Sequence, residues 1–132
     1  MIRLLTIPEM GKEWPRIAPH LERVLARFDY GSDENDIFAD AIQGHRQIWA
    51  IGDFDAIAVT QINRLPKFSV LDVSLLAGKG MKEWLPDLVG ILTQFAEVNG
   101  CKYMDGFGRK GWTKQLEKYG FKPYSYDVRM EI

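Results

Sequence analysis

The chain has 132 residues, 46% of them hydrophobic and 12% aromatic, and its formal net charge is −1, from 17 basic and 18 acidic residues. The length fits a single domain (residues 1–132) with its own core, and the apolar content excludes a disordered chain. Because the charge is balanced, no general attraction to nucleic acid or to anionic membranes is expected.

Cysteine usage and hydropathy indicate where the protein works. Cys101 is the single cysteine, so an internal disulfide is excluded and no zinc site is indicated. No apolar run approaches the length of a membrane span, and the N-terminus lacks the long apolar core of a signal peptide. We therefore expect a soluble, cytoplasmic protein without a bound metal.

The first third of the chain predicts a strand and two helices. Residues 2–6 alternate weakly, as a short strand does. The helical repeat that follows contains Pro15 and Pro19, so regular helix is expected to begin near Pro19. Ser32 is the expected N-cap of a short second helix. The acidic residues after Ser32 fit either a solvated helix start or an attraction for a positively charged amine.

A three-strand antiparallel meander is predicted next. Residues 46–51, 56–62 and 68–76 show strand-like periodicity and are joined by short turns. His20 and His45 have no partner carboxylate or second metal ligand at a telling spacing. Both histidines are therefore interpreted as structural.

A glycine loop, residues 77–81, joins the third meander strand to a long amphipathic helix that ends near Asn99-Gly100. The apolar face of this helix is formed by Trp84, Leu85, Leu88, Val89, Leu92, Phe95 and Ala96. Gly90, in its middle, is attributed to close packing against the sheet. A strand that leads through glycines into a helix leaves unpaired N–H groups at the positive end of the helix dipole, which favours a bound phosphate.

The remaining residues predict a strand at 101–106, a helix at 108–121 and a last strand at 124–132. The complete order is strand, two helices, three strands, helix, strand, helix, strand. This order predicts an α+β fold in which helices flank one sheet.

Element order and two motifs resemble the GCN5-related N-acetyltransferase (GNAT) family over nearly the whole chain. LLAGKG (75–80) sits where that family has its acyl-CoA pyrophosphate loop, Q/R-x-x-G-x-G/A. RKGWTKQLEKYGF (109–121) sits where it has N-x-x-A-x-x-x-Y-x-K-x-G-F. A closer resemblance is to small acetyltransferase-like proteins of tailed phages, and it rests on the successive short motifs WL, FA, GC, GR.GW and GF. The resemblance implies a mixed, mostly antiparallel sheet flanked by helices, with acetyl-CoA as cosubstrate.

The resemblance also implies where the coenzyme binds. Its pyrophosphate is expected on the N–H groups of the glycine loop, and its pantetheine arm in a splay between strands 68–76 and 101–106. The implied binding residues are Leu76, Ala77, Gly78, Lys79, Gly80, Met81, Arg109 and Trp112. Lys79 either contacts phosphate or points into water, and Trp112 either closes the groove or covers the core.

Several positions depart from the family motifs. Leu75 replaces the Gln or Arg that opens the loop, Arg109 replaces Asn, and Trp112 replaces a small Ala. Leu116 falls where the family has a tyrosine that protonates the departing thiolate, and leucine has no proton to give. Tyr119, about one turn further on, is interpreted as a packing residue.

Asp72 is the candidate general base, because it lies in the central predicted strand with the opposite phase to its apolar neighbours. Ser74 shares its face and is the second candidate catalytic residue. A strand aspartate equally fits a partnered or solvent-facing structural role, so both interpretations stay open.

The sequence and the resemblance together suggest two alternative functions. The first is an N-acetyltransferase that moves an acetyl group from acetyl-CoA to the amine of a small molecule or a protein. The second, suggested by Leu75, Leu116 and Trp112, is a catalytically silent phage protein that acts as a virion or protein-binding component, with an oligomer as one form. The acetyltransferase is expected in the cytoplasm, which is the host cytoplasm if a phage encodes the protein. The catalytically silent protein is expected in the virion. Interleaved acidic and basic residues argue against nucleic-acid binding.

Overall fold

The computed structural model describes residues 1–27, 31–106 and 110–132, without the side chains of 110–113. The elements are β1 (Ile2–Leu4), α1 (Ile7–Leu25), α2 (Glu34–Ile42), β2 (Gln47–Ile51), β3 (Ala56–Arg64), β4 (Ser69–Gly78), α3 (Met81–Val98), β5 (Cys101–Gly106) and α4 (Lys110–Glu117). In these ranges, no helix combines the length and the apolar character that crossing a bilayer requires.

The five strands form one sheet in the order β1-β2-β3-β4-β5. Neighbours from β1 to β4 are antiparallel, and β5 lies parallel to β4, which the crossover through α3 makes possible. The predicted α+β fold, a mixed and mostly antiparallel sheet flanked by helices, is therefore confirmed.

Each face of the sheet carries its own apolar cluster. On one face, α1 and α2 pack against side chains of β2, β3 and β4, with Ile17, Leu21 and Ile37 almost fully buried. On the other face, α3 packs through Leu88 and Leu92. Because successive strand residues point to opposite faces, β4 contributes to both clusters, and its polar residues Asp72 and Ser74 lie on the α1 and α2 side.

Helix α1 begins at Ile7, so the prediction that it starts near Pro19 is wrong. A capping box explains the early start: the Thr6 side chain accepts from the Glu9 N–H, and the Glu9 carboxylate accepts from the Thr6 N–H. Pro15 and Pro19 remain inside the helix. Burial of the apolar face against the sheet offsets the backbone hydrogen bonds that two prolines remove.

The N-cap of α2 is Asp33, one residue after the predicted Ser32. Its carboxylate accepts from the Asp36 N–H, and the Asp36 side chain accepts from the Asp33 N–H. Asp33 and Asp36 therefore cap the start of α2, which agrees with the interpretation of the acidic residues as a helix start.

Strand β4 contains a bulge at Ser74. Val73 pairs with Thr60 and Leu75 pairs with Val59, so Ser74 has no partner of its own in the β3 ladder. A bulge of this kind re-aims side chains and bends the strand.

The parallel ladder between β4 and β5 ends soon before this bulge, at Val73 and Gly106. Within the described residues, 74–78 have no ladder partner on the β5 side of β4. The predicted splay between the two strands would lie beyond this last pair, and it stays a prediction.

The strand predicted at 124–132 is wrong, because the chain forms no helix or strand from Phe121 to Ile132. Its apolar side chains are exposed: Tyr124 is 78% exposed and Val128 is 95% exposed. Alternating residues form a strand only where a neighbouring edge accepts their backbone hydrogen bonds, and no described strand pairs with this segment.

Two glycines of the α3 region have different outcomes. Gly100 has a φ of +71° directly after the C-cap residue Asn99, which confirms the predicted helix stop. Gly90, in contrast, is exposed, and a Cβ placed on it would meet nothing within 4 Å. The interpretation of Gly90 as a site of close packing is wrong.

Candidate active site

A pocket of about 130 Å³ lies beside the β4 bulge, on the face that α1 and α2 cover. Its lining consists of Leu25, Ser32, Ile37, Arg46, Gln61, Asp72, Ser74 and Leu75. Polar groups from three neighbouring strand regions therefore meet apolar groups from the two helices. A small pocket with few convergent polar groups is the usual form of a ligand site.

Asp72 and Ser74 lie together in this pocket, as their predicted common face requires. The Ser74 hydroxyl donates a 2.9 Å hydrogen bond to the Asp72 carboxylate. Burial raises the pKa of Asp72 above its usual value, and the nearby charge of Asp105 raises it further, while the bond from Ser74 and the charge of Arg46 oppose the shift. A carboxylate with a raised pKa is a better proton acceptor than an exposed one.

Polar side chains continue across the sheet in one row. Gln61 on β3 is the ladder partner of Asp72, and Asp72 is the ladder partner of Asp105 on β5. The Tyr124 hydroxyl donates a 2.9 Å hydrogen bond to the Asp105 carboxylate. This bond, together with the Asp105 charge, raises the pKa of Tyr124, which therefore stays a protonated phenol at neutral pH.

Arg46, directly before β2, supplies positive charge to the pocket. Its side chain is 19% exposed, and its Nε donates a 3.1 Å hydrogen bond to the Asp40 carboxylate of α2. Asp40 thus holds the guanidinium by one edge. Guanidinium has donors on two further nitrogens, so Arg46 retains unused hydrogen-bonding capacity.

The segment from Gly78 to Met81 has the features that an anion site at a helix start needs. Residues 78–80 are exposed, and Gly80, with a φ of +79°, is the N-cap of α3 without a side-chain cap. The Gly80 carbonyl accepts from the N–H groups of Glu83 and Trp84. The earlier amides, those of Met81 and Lys82, have no intrahelical partner by position, so they fit a phosphate oxygen.

Gly78 has a structural reason for being glycine. Its φ is +126°, and a Cβ on it would lie 2.5 Å from the Cα of Ala56 on the adjoining strand. The side chain is thus excluded by the backbone of β3 rather than by any ligand. Ala77 and Gly78 are the last residues of β4, so the predicted loop 77–81 is shorter than expected.

Lys79 and Trp84 form a bridge across the loop. The Trp84 indole donates a 2.7 Å hydrogen bond from Nε1 to the Lys79 carbonyl oxygen. Trp84 also packs against the α3 side of the core. This contact holds the loop backbone in place. Lys79 itself is exposed.

Other predicted binding residues have mixed positions. Leu76 is partly buried and packs against the α3 cluster, and Ala77 is only 4% exposed. Arg109 and the side chain of Trp112 lie outside the described residues. Leu116 is half-buried on α4, and Tyr119 follows that helix.

Sequence reasoning missed three residues of this region. Arg46 and Gln61 enter the pocket because the meander places them beside Asp72, and Tyr124 reaches Asp105 from a segment that was expected to be a strand. The strand register would have indicated Gln61, but no local pattern identifies the other two.

Histidines and acidic groups of the described residues do not form a metal site. No group of three or more His, Cys, Asp or Glu side chains is arranged to hold a metal ion. His20 lies against the backbone, with its Nε2 2.8 Å from the Phe54 carbonyl oxygen. The interpretation of His20 as a structural residue agrees with this contact.

No protein-family model and no curated protein sequence matches the chain. Solved structures do resemble it: a probable acetyltransferase at 12% identity over 100% of this chain and 99% of that chain, with a TM-score of 0.74. A predicted acetyltransferase from Clostridium acetobutylicum, solved with acetyl-CoA, has 11% identity over 99% and 95% and a TM-score of 0.73. Glucosamine-6-phosphate N-acetyltransferase from Arabidopsis thaliana has 14% identity over 99% and 97% and a TM-score of 0.67. The chain therefore has the fold of the GNAT acetyltransferases.

Proposed function

We propose that this protein is an N-acetyltransferase that moves the acetyl group of acetyl-CoA to a primary amine. One observation carries the proposal: the Asp72 carboxylate, bonded to Ser74, lines a pocket next to the end of the β4–β5 ladder. Likeness to acetyltransferases, one of them solved with acetyl-CoA, supports the reaction class.

Residues 74–81 would hold the coenzyme. The edge of β4 beyond Val73 would offer backbone groups to an extended amide-containing arm, and the start of α3, which has no side-chain cap, would offer N–H groups to phosphate. Lys79 adds a positive charge near that position. When bound, acetyl-CoA supplies an activated acetyl thioester at the end of the arm.

The residues of the pocket would prepare the amine. A primary amine is mostly protonated at neutral pH, since its pKa is about 10. Asp72 accepts a proton from the amine, whose nitrogen then forms a bond to the acetyl carbon while the carbon–sulfur bond breaks. The nitrogen loses its second proton as the amide forms, and water would relay this proton to the departing thiolate, because the Leu116 side chain has none to donate.

The alternative of a silent phage or virion component receives no support from the comparisons, and it stays a prediction. One of the three residues that suggested this alternative has a structural explanation. Leu75 is 6% exposed and belongs to the α1 and α2 cluster, so its apolar character suits the core.

An acetyl-transfer assay tests the proposal. Thiol release from acetyl-CoA is followed with a panel of amines, and the N-acetyl products are identified by mass. Asp72→Asn is expected to lower kcat by about 10²-fold or more, the usual contribution of a general base. Glu97→Gln, an exposed carboxylate near the far end of α3, is the control and should keep the wild-type rate. Absence of amine-dependent thiol release across the panel would contradict the proposal.

A further inference from the structure

The pocket has a positively charged end that the acetyl transfer does not use. Arg46 lines it, and among the described residues its only bonded partner is Asp40, through Nε. No buried side-chain nitrogen of the described residues lacks a partner. The two terminal nitrogens of Arg46 therefore keep some solvent-accessible surface.

Arg46 and Asp72 stand at the two ends of a short row. Gln47 pairs with Thr60, so continuing the antiparallel ladder by one residue brings Arg46 opposite Gln61, which pairs with Asp72. Strands in a sheet are about 4.8 Å apart, so the Arg46 and Asp72 backbones are roughly 10 Å apart. Side chains that reach toward each other from these positions leave space for a few atoms.

We propose that the acceptor is a small amino acid: its carboxylate binds the terminal nitrogens of Arg46 and its amine faces Asp72. A guanidinium fork binds a carboxylate through two parallel hydrogen bonds. Asp40 positions this fork by holding Nε. The identity of the reaction rests on the proposed function, whereas binding of the amino acid does not.

Size and polarity of the remaining lining agree with this ligand. The volume of about 130 Å³ admits only a short molecule. Leu25, Ile37 and Leu75 provide apolar surface for methylene groups between the two charged ends. A diamine fits less well, because its second ammonium would face the Arg46 guanidinium.

Matched ligand pairs test the inference. Glycine, β-alanine and 4-aminobutanoate are each compared with the corresponding amide, which keeps the amine and the size but removes the negative charge. Equilibrium binding to the protein without coenzyme is measured by calorimetry, and kcat/KM is measured with acetyl-CoA. The variants are Arg46→Gln, which removes the fork and its charge, and Arg46→Lys, which keeps the charge alone.

At least one acid is expected to bind about tenfold or more tightly than its amide, as a charge-assisted pair allows. Arg46→Gln should abolish that ratio, and Arg46→Lys should restore part of it. A loss of folding would weaken acid and amide alike, so the ratio separates recognition from stability. Equal binding of acids and amides, preference for 1,4-diaminobutane, or a ratio unchanged in Arg46→Gln would overturn the inference. Arg46-dependent binding without acetyl transfer would support it and reject the proposed reaction.

Discussion

Asp72 on β4 and Asp105 on β5 are direct partners in the parallel ladder, one position before its last pair. Two carboxylates held side by side resist simultaneous ionisation. Each has its own donor, Ser74 for the first and Tyr124 for the second. This pair therefore places a proton acceptor with a raised pKa near the end of the β4–β5 ladder.

The Asp72→Asn variant should lack the loss of folding stability that ionisation of Asp72 causes as pH rises. Since the folded-state pKa of Asp72 is raised by burial and by Asp105, the unfolded chain releases this proton first as pH rises. Stability is intact below the unfolded pKa of about 3.9 and falls as pH passes through the folded pKa. Melting temperatures of the variant and the wild type should converge at low pH, with the variant equal or higher at pH about 7. A variant that becomes relatively less stable as pH rises would show that the carboxylate is favourably paired instead.

Asp105→Asn should shift the pH dependence of activity toward lower pH. The proposed base must be ionised, and Asp105 adds to the effect of burial in raising its pKa. Removing the Asp105 charge should move the acid limb of the kcat/KM profile downward. Tyr124→Phe retains that charge and serves as the control for the lost hydrogen bond. An unmoved acid limb in Asp105→Asn would mean that Asp72 does not set it.

Two glycine substitutions should have opposite effects on stability. Gly78→Ala places a Cβ 2.5 Å from Ala56 at a φ of +126°, so the free energy of unfolding should fall by about 3 kcal/mol or more. Gly90→Ala meets nothing within 4 Å in mid-helix and should raise it by about 0.5–1 kcal/mol. Denaturant unfolding measures both values. A tolerated Gly78→Ala would refute the close approach of β3 and β4.

Trp84→Phe should weaken coenzyme binding. The lost hydrogen bond to Lys79 is worth about 1 kcal/mol, which corresponds to roughly fivefold in the dissociation constant of acetyl-CoA if it holds the loop in place. Trp14→Phe is the matched control, because Trp14 packs against Phe38 on the opposite face of the sheet. Both variants should lose stability. Equal affinities in both would show that the indole does not organise the loop.

Periodicity and turn residues were sufficient to predict the meander, α3, β5 and the α+β class. Those elements have strong local signals, such as the helix stop at Asn99-Gly100. The start of α1 differs from the prediction because the capping box of Thr6 and Glu9 begins the helix ahead of its two internal prolines, Pro15 and Pro19. The last strand failed because alternation alone does not supply a neighbouring edge.

The candidate site was predictable only in part. Asp72 and Ser74 were placed together by strand phase, which depends on local alternation. Arg46 and Tyr124 reach the same region through contacts between distant segments, and such contacts depend on register and chain path. The shortened loop at Gly78 follows from its approach to Ala56, which no local pattern reveals.

An acetyl-CoA titration followed by amide chemical shifts in ¹H–¹⁵N spectra tests the central claim most directly. The account predicts saturable shifts concentrated at the amides of residues 74–82, which form the end of β4 and the start of α3. Unchanged shifts there at millimolar acetyl-CoA, in a protein that remains folded, would contradict it.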